Sequence, residues 1–242
     1  MTETAAPMTV VTLPTYNEAE NIRPLIEKLR GLGLQVLVAD DNSPDGTWKI
    51  VQEIAETDSG VHLLLRKEKK GRGYAGAEAF ARAMAMGAQR MVEMDADFSH
   101  RPEDIPALLA KLDNGAEMVI GSRYIDGGSD TRKSFLRNIL SVFSIRFAQT
   151  VLGVKVADPN SGFRAYNRSV FEKVTPEKIS APGPGIVHEI LYKAHLAGVK
   201  IEEVPITFVD RVAGQSELTV GKLLDGFLYL FSLRRRHRIG EF

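Results

Sequence analysis

The chain has 242 residues, 44% of them hydrophobic, enough to bury the core of one large α/β domain, and we read it as one domain. Lysine plus arginine and aspartate plus glutamate each total 31. Bulk charge therefore argues against a nonspecific nucleic-acid binder and leaves only local basic clusters, Arg66 to Arg72 and Arg234 to Arg238. With no cysteine, disulfides, thiolate catalysis and zinc–thiolate sites are excluded.

Met1 to Pro7 is polar and acidic, without the basic and apolar regions of a signal peptide, so a cytoplasmic location is expected. Thr9 to Leu13, Gln35 to Ala39, Val61 to Leu65, Arg90 to Met94 and Met118 to Ile120 are short apolar runs that end in polar or glycine-containing turns, and they read as buried parallel strands. Helical spacing lies between them, over Asn21 to Arg30, Thr47 to Glu56, Tyr74 to Gly87 and Pro102 to Leu112. The alternation predicts a doubly wound α/β sheet with helices on both faces. Beyond it, a basic, glycine-containing loop from Tyr124 to Lys133 leads into an amphipathic segment, Phe135 to Leu152. Asp158 to Tyr166 is turn-rich, Ile186 to Ala197 helical, Lys200 to Val209 strand-like, and Thr219 to Arg236 a last helix. No apolar run reaches the roughly 18 residues of a membrane span. The aromatic and leucine positions from Phe227 to Leu233, followed by Arg234 to Arg238, read as a buried helix or, in preference, a membrane or subunit interface.

Asp95-Ala96-Asp97 stands where the fourth strand runs out. Alternate residues of an extended chain face one side, so the two carboxylates can share a hard cation, Mg²⁺ or Mn²⁺, whose remaining ligands are a diphosphate and water. A lone Asp-x-Asp is more often a solvated loop; here the strand-end position and two companion segments reverse that balance. Ser99 and His100 are weaker candidates for a further contact. In the first companion, Leu13-Pro14-Thr15-Tyr16-Asn17-Glu18, Tyr16 can stack on a base while Glu18 accepts from base or ribose, against the alternative of a helix-starting turn. In the second, Asp40 to Gly46, Asp41 suits a ribose hydroxyl or base and Asp45 suits turn and capping chemistry. Gly71-Arg72-Gly73 is as readily a solvated turn as a phosphate cradle. Arg123 ends the fifth strand, and Arg137 and Ser141 lie one helical turn apart, able to face one anion. Gly214-Gln215-Ser216 supplies a turn able to close over a ligand. The five histidines show no zinc or relay spacing.

The order of these motifs resembles the family-2 glycosyltransferases of the GT-A fold, and among them the polyprenol and dolichol monophosphate mannose synthases. Gly121-Ser122-Arg123-Tyr124, Ser161-Gly162-Phe163-Arg164 and Glu203 to Arg211 extend the match over most of the chain. The resemblance implies a Rossmann-like doubly wound mixed sheet, with a nucleotide-binding half over 1–121, an acceptor-side half over 122–218 and a C-terminal amphipathic, basic helix over 219–242. It implies that Pro14, Tyr16, Glu18, Ala39, Asp41 and Ala96 hold GDP and that Asp95 and Asp97 hold the metal. It further implies that Arg211 meets the donor diphosphate, while Arg123, Arg137 and Ser141 meet an acceptor phosphate. Two positions depart from the family pattern: Glu217 replaces a lysine after Gly214-Gln215-Ser216, and Val142 replaces a basic residue after Ser141.

The expected reaction is an inverting transfer of mannose from GDP-mannose to a polyprenyl phosphate, with Asp95, Asp97, Arg123 and Arg211 as the catalytic group. The expected setting is the cytoplasmic face of a membrane, reached by the protein's own surface or through a membrane-anchored partner subunit. A phosphate acceptor is already ionised near neutral pH and needs no strong base. The alternatives are a UDP-sugar donor, a hydroxyl acceptor with Asp158 as the base to test, and a nucleotide-sugar-binding subunit without turnover.

Overall fold

The computed structural model describes residues 7–67, 71–132, 135–181, 183–210 and 220–242, with the side chains of 135–138 and 220–224 outside that description. Parallel strands form where the apolar runs predict them: β1 Thr9–Thr15, β2 Gln35–Asp40, β3 Val61–Leu65, β4 Arg90–Glu93 and β5 Met118–Ser122. They are apolar at nearly every position because both faces of the sheet are covered. Alternation splits them between two cores. Val10, Leu37, Met91 and Met118 meet one, and Val11, Val36, Val92 and Val119 meet the other. Helices α1 Ala19–Gly31, α2 Thr47–Thr57 and α4 Ile105–Asp113 close the second core with Ile22, Leu25, Val51 and Leu108, while α3 Arg72–Ala85 brings Phe80 to the first.

The second half runs α5 Phe135–Leu152, α6 Arg168–Val174, α7 Ile186–Leu196 and α8 Val220–Arg238. Its strands are β6 Ser129–Asp130, β7 Arg164–Asn167, β8 Ile201–Pro205 and β9 Thr207–Phe208. The strand-like run from Lys200 to Val209 is thus broken at Ile206, and β9 leaves the main sheet to pair in parallel with β6. The main sheet has the order β3-β2-β1-β4-β7-β5-β8, parallel throughout except for β7, which is antiparallel to both neighbours.

Strand β7 corrects the reading of Asp158 to Tyr166 as turn-rich throughout. It is four residues long and opens on an arginine, so it carries no apolar run. Arg164 is nevertheless fully buried, because its guanidinium donates to three carbonyls, Ser161 at 2.7 Å, Pro159 at 2.8 Å and Val187 at 2.5 Å. Those bonds compensate the burial of its charge.

Candidate active site

Register pairs Thr15 with Asp40 and Thr12 with Glu93, so the carboxyl ends of β1, β2 and β4 open side by side. Each is followed by a non-glycine residue in the left-handed region, Asn17 (φ 62°), Asn42 (φ 54°) and Phe98 (φ 61°). Asparagine tolerates that backbone; for Phe98 it costs about 1 kcal/mol or more. The turn at Phe98 sends Ser99 back onto Asp97, whose Oδ1 accepts the Ser99 amide at 3.1 Å and hydroxyl at 2.6 Å.

Asp97 is buried and Asp95 partly exposed. His100 accepts the Asp95 amide on Nδ1 at 3.0 Å and stacks on Phe163, with 5.0 Å between centroids. Burial holds its pKa below the ordinary value against the pull of Asp95 and Asp97, so the ring stays neutral. Ser99 and His100 therefore orient the two acids.

Two further groups belong to this cluster. Glu93, a third acid on alternate positions with Asp95 and Asp97, lies inside β4 and is fully buried. It accepts from the Tyr166 hydroxyl at 3.3 Å, its Oε1 has no hydrogen-bond partner among the described residues, and burial raises its pKa against the pull of Arg72 and Arg164. Arg72 reaches over from the start of α3, donating to Asp95 Oδ1 at 2.5 Å and lying 3.8 Å from Glu93. Gly162 makes room for it, since a Cβ there would stand 3.1 Å from Nη2. Gly71-Arg72-Gly73 is thus no mere solvated turn. Gly71 takes a φ of 96° with its amide 3.3 Å from Asp41, and a Cβ on Gly73 would strike the Ala181 carbonyl at 1.9 Å.

Among the described residues no group of three or more acids or histidines gathers to hold a metal. Two hard carboxylates from a strand end, one of them fixed by Ser99, suit Mg²⁺ or Mn²⁺ when a diphosphate and water complete the shell. The donor set fits such an ion.

The nucleotide-side candidates line the same edge. Pro14 pairs with Ala39 across β1 and β2, and Tyr16 is 37% exposed. Glu18 is half-buried, its amide donating to the Thr47 hydroxyl at 2.9 Å and its carboxylate accepting from Asn21 at 2.9 Å. Ala39 and Ala96 have their methyl groups in the cores, so a ligand would meet their main chains. Asp41 is buried against the guanidinium of Arg66, which also pairs with Glu78. Asp40 is structural, accepting from Thr15, the Ser43 amide and the Ser43 hydroxyl. Asp45 caps and joins the turns. Burial raises its pKa, but bonds from the Thr47 hydroxyl and the Ala19 and Thr47 amides more than offset this and hold it low.

On the far side, Arg123 closes β5 and grips Asp158 with two parallel bonds, Nε at 2.7 Å and Nη2 at 2.8 Å, while its amide adds a third at 3.2 Å. Asp158 is fully buried. Both of its oxygens accept from Arg123, which makes it a weak candidate for general base. Ser141 is half-buried on α5. Arg137 lies one turn before it in the same helix with its side chain outside the described residues, and Arg211, Gly214-Gln215-Ser216 and Glu217 lie outside them altogether.

Helix α5 departs from simple amphipathicity. It buries Ile145, Ala148, Val151 and Leu152, yet Ile139, Leu140, Val142 and Phe143 on its other side are 45 to 57% exposed. Phe147 packs against Phe227 (4.7 Å) and Phe231 (5.3 Å) of α8, which exposes Leu228 and Phe231. Exposed Arg146, Arg234, Arg235 and Arg238 stand around this surface. No helix among the described residues is long and apolar enough to cross a membrane.

The model of the family described as "Glycosyl transferase family 2" matches residues 10–175. The chain belongs to glycosyl transferase family 2. Family-2 relatives that it is similar to include a polyprenol monophosphomannose synthase of Mycolicibacterium smegmatis, 38% identical over 87% of this chain and 81% of that one. An undecaprenyl-phosphate mannosyltransferase of Micrococcus luteus is 36% identical over 88% and 89%. A dolichol-phosphate mannosyltransferase of Pyrococcus furiosus is 35% identical over 93% of this chain and 63% of that longer one. Among solved structures, the glucosyl-3-phosphoglycerate synthase of Mycobacterium tuberculosis with Mn²⁺, UDP and phosphoglyceric acid superposes with a TM-score of 0.66. It is 21% identical and covers 98% of this chain and 80% of that one, a likeness of fold. This family-2 transferase therefore has the GT-A-like mixed sheet, with its acidic pair at the strand-end edge where such folds take ligands.

Proposed function

We propose that this glycosyltransferase moves mannose from GDP-mannose to a polyprenyl phosphate, with inversion, in a reaction dependent on Mg²⁺ or Mn²⁺. The observation that carries the phosphate acceptor is the Arg123–Asp158 clamp, which presents a fixed cation beside the site while consuming the carboxylate that a hydroxyl acceptor would need as base. An acceptor phosphate brings its own ionised oxygen. That oxygen bonds to the anomeric carbon as the bond from carbon to the donor diphosphate breaks, and GDP departs. Pro14, Tyr16, Glu18, Asp41 and the main chains of Ala39 and Ala96 would bind the nucleoside; Asp95 and Asp97 would hold the metal, which when bound supplies neutralisation of the leaving diphosphate. Arg123, with Arg137 and Ser141, would orient the acceptor, and Arg211 would add charge at the diphosphate. The identity of relatives as mannosyltransferases supports the sugar, and their polyprenol, undecaprenyl and dolichol acceptors support the lipid.

The exposed apolar side of α5 and α8, with its arginines, supports a peripheral position at the cytoplasmic face of an anionic membrane, where the lipid acceptor resides. The test is release of GDP and formation of prenyl phosphate mannose from GDP-mannose and a short polyprenyl phosphate, with Mg²⁺ or Mn²⁺ and a panel of competing sugar nucleotides. A UDP-sugar turned over faster than GDP-mannose would refute the donor. Donor binding without turnover under every condition would make the protein a binding subunit.

A further inference from the structure

We propose that Arg132 is a second acceptor-phosphate arginine and that Asp130 holds the anion's position until the phosphate arrives; this rests on the phosphate-acceptor reading above. Arg123 carries five N–H groups, of which Asp158 takes the one on Nε and one on Nη2, so the two of Nη1 and the second of Nη2 remain for an outside anion while its charge is already paired. A phosphate monoester has three oxygens and up to two charges, more than one guanidinium already paired with a carboxylate neutralises. The second fork is at hand. Arg132 donates through Nε to Asp130 Oδ1 at 2.7 Å and through Nη2 to Oδ2, and the free Nη1 of Arg123 points at the same Oδ2 from 3.6 Å. Two guanidiniums thus converge on one carboxylate, the arrangement that binds a phosphate when the carboxylate steps aside.

The fold holds this pair in place beside the acidic site. The pairing of β6 with β9 fixes the loop, with the Thr131 amide donating to the Phe208 carbonyl at 2.9 Å. Both guanidiniums rest on the Phe208 ring, Arg132 at 4.3 Å and Arg123 at 5.4 Å from its centroid. The same ring meets His100 at 5.2 Å, and His100 holds the amide of Asp95. One aromatic layer therefore separates the metal-binding acids from the arginine pair. The side chains of Arg123, Asp130 and Arg132 are 10, 11 and 19% exposed, sheltered enough to strengthen an ionic contact yet open to a ligand. Asp130 lies on a two-residue strand at a surface loop and, among the described residues, accepts hydrogen bonds otherwise from the Arg132 amide, at 3.1 Å, so its carboxylate can be displaced without breaking a core.

The experiment measures steady-state transfer to a ten-carbon prenyl phosphate by the full-length wild type and by Arg132→Gln, Arg132→Lys and Asp130→Asn, with donor affinity and melting temperature recorded for each. Arg132→Gln should raise the acceptor KM about ten-fold or more with donor affinity unchanged, because one charge-assisted contact is lost. Arg132→Lys should recover part of that loss, supplying charge without the fork. Asp130→Asn should lower the acceptor KM and strengthen inhibition by inorganic phosphate. Wild-type transfer with an unchanged acceptor KM in Arg132→Gln, and only a lower melting temperature, would overturn the inference alone and make the pair a stitch in the loop. A rise in acceptor KM in Asp130→Asn would overturn the place-holding role. A wild type that binds donor but transfers nothing to the prenyl phosphate would overturn the acceptor reading and this inference with it.

Discussion

Replacing Arg72 by glutamine tests the charge balance beneath the acidic site. The change removes the bond to Asp95 and leaves Glu93, 1% exposed, with the Tyr166 hydroxyl as its hydrogen-bonding partner. Breaking a buried ion pair costs about 3 to 5 kcal/mol. Three facts reduce that here. The guanidinium is 27% exposed and 3.8 Å away, Arg164 also attracts Glu93, and the carboxylate can take up a proton. We expect a loss of roughly 2 kcal/mol, a fall of roughly 4 to 8 °C in melting temperature for a chain of this size. The loss should depend on pH in a definite sense. Glu93 in the folded protein has a pKa above its unfolded value, so between the two the native state holds a proton that the unfolded chain has released, and stability falls as pH rises through that window. The deficit should therefore be small at acid pH and full above the folded pKa. Thermal unfolding followed by circular dichroism across pH reads it directly, with Arg72→Gln/Glu93→Gln as the rescue. A variant that melts with the wild type, a deficit that ignores pH, or a double variant no better than the single one would refute the reasoning.

Other expectations follow from the same contacts. Asp97→Ala should depress transfer and metal-dependent donor binding together, and unchanged dependence on Mn²⁺ in a titration would refute its assignment. Glu189, fully buried in α7, accepts from Lys193 (2.8 Å), the Tyr229 hydroxyl (2.5 Å) and the Ser180 and Ala181 amides (2.9 Å each), tying α8 to the body. Glu189→Gln should cost roughly 2 to 4 kcal/mol by denaturant melts at neutral pH. Burial raises the Glu189 pKa, but Lys193 and Tyr229 bring it below the ordinary value, so this contribution is present above the unfolded pKa and lost as pH falls through the folded one. Phe143→Glu/Phe231→Glu should abolish sedimentation with anionic vesicles while leaving GDP-mannose affinity unchanged; retained sedimentation would show that another surface meets the bilayer.

Apolar periodicity located the parallel strands to within a residue or two, because strands inside a sheet covered on both faces write a continuous apolar signal, and the bounds of the edge strand β3 and of α5 also coincide with those expected. It could not locate β7, whose buried arginine is stabilised by carbonyls that no local pattern announces. The acids Asp95 and Asp97 were legible from spacing and strand-end position. The partners of Asp95 and Arg123 were not, since Arg72 lies 23 residues before Asp95 and Asp158 lies 35 after Arg123. For the same reason Glu93 read as one more strand residue and Asp158 as an available base. Only the tertiary fold reveals that one acid is sealed against Arg72 and the other spent in holding Arg123.

The reversed strand β7 also sets a scale. By lying between β4 and β5 it holds those two strands two inter-strand spacings apart, roughly 10 Å. Asp95 and Asp97 follow one of them and Arg123 follows the other, so the sheet itself is a ruler between the acidic and the basic banks of the cleft. Without β7 the two banks would stand a single spacing apart, close enough to neutralise each other as a salt bridge. With it, each bank keeps a partner of its own, Arg72 for Asp95 and Asp158 for Arg123, and the two charged clusters stay distinct.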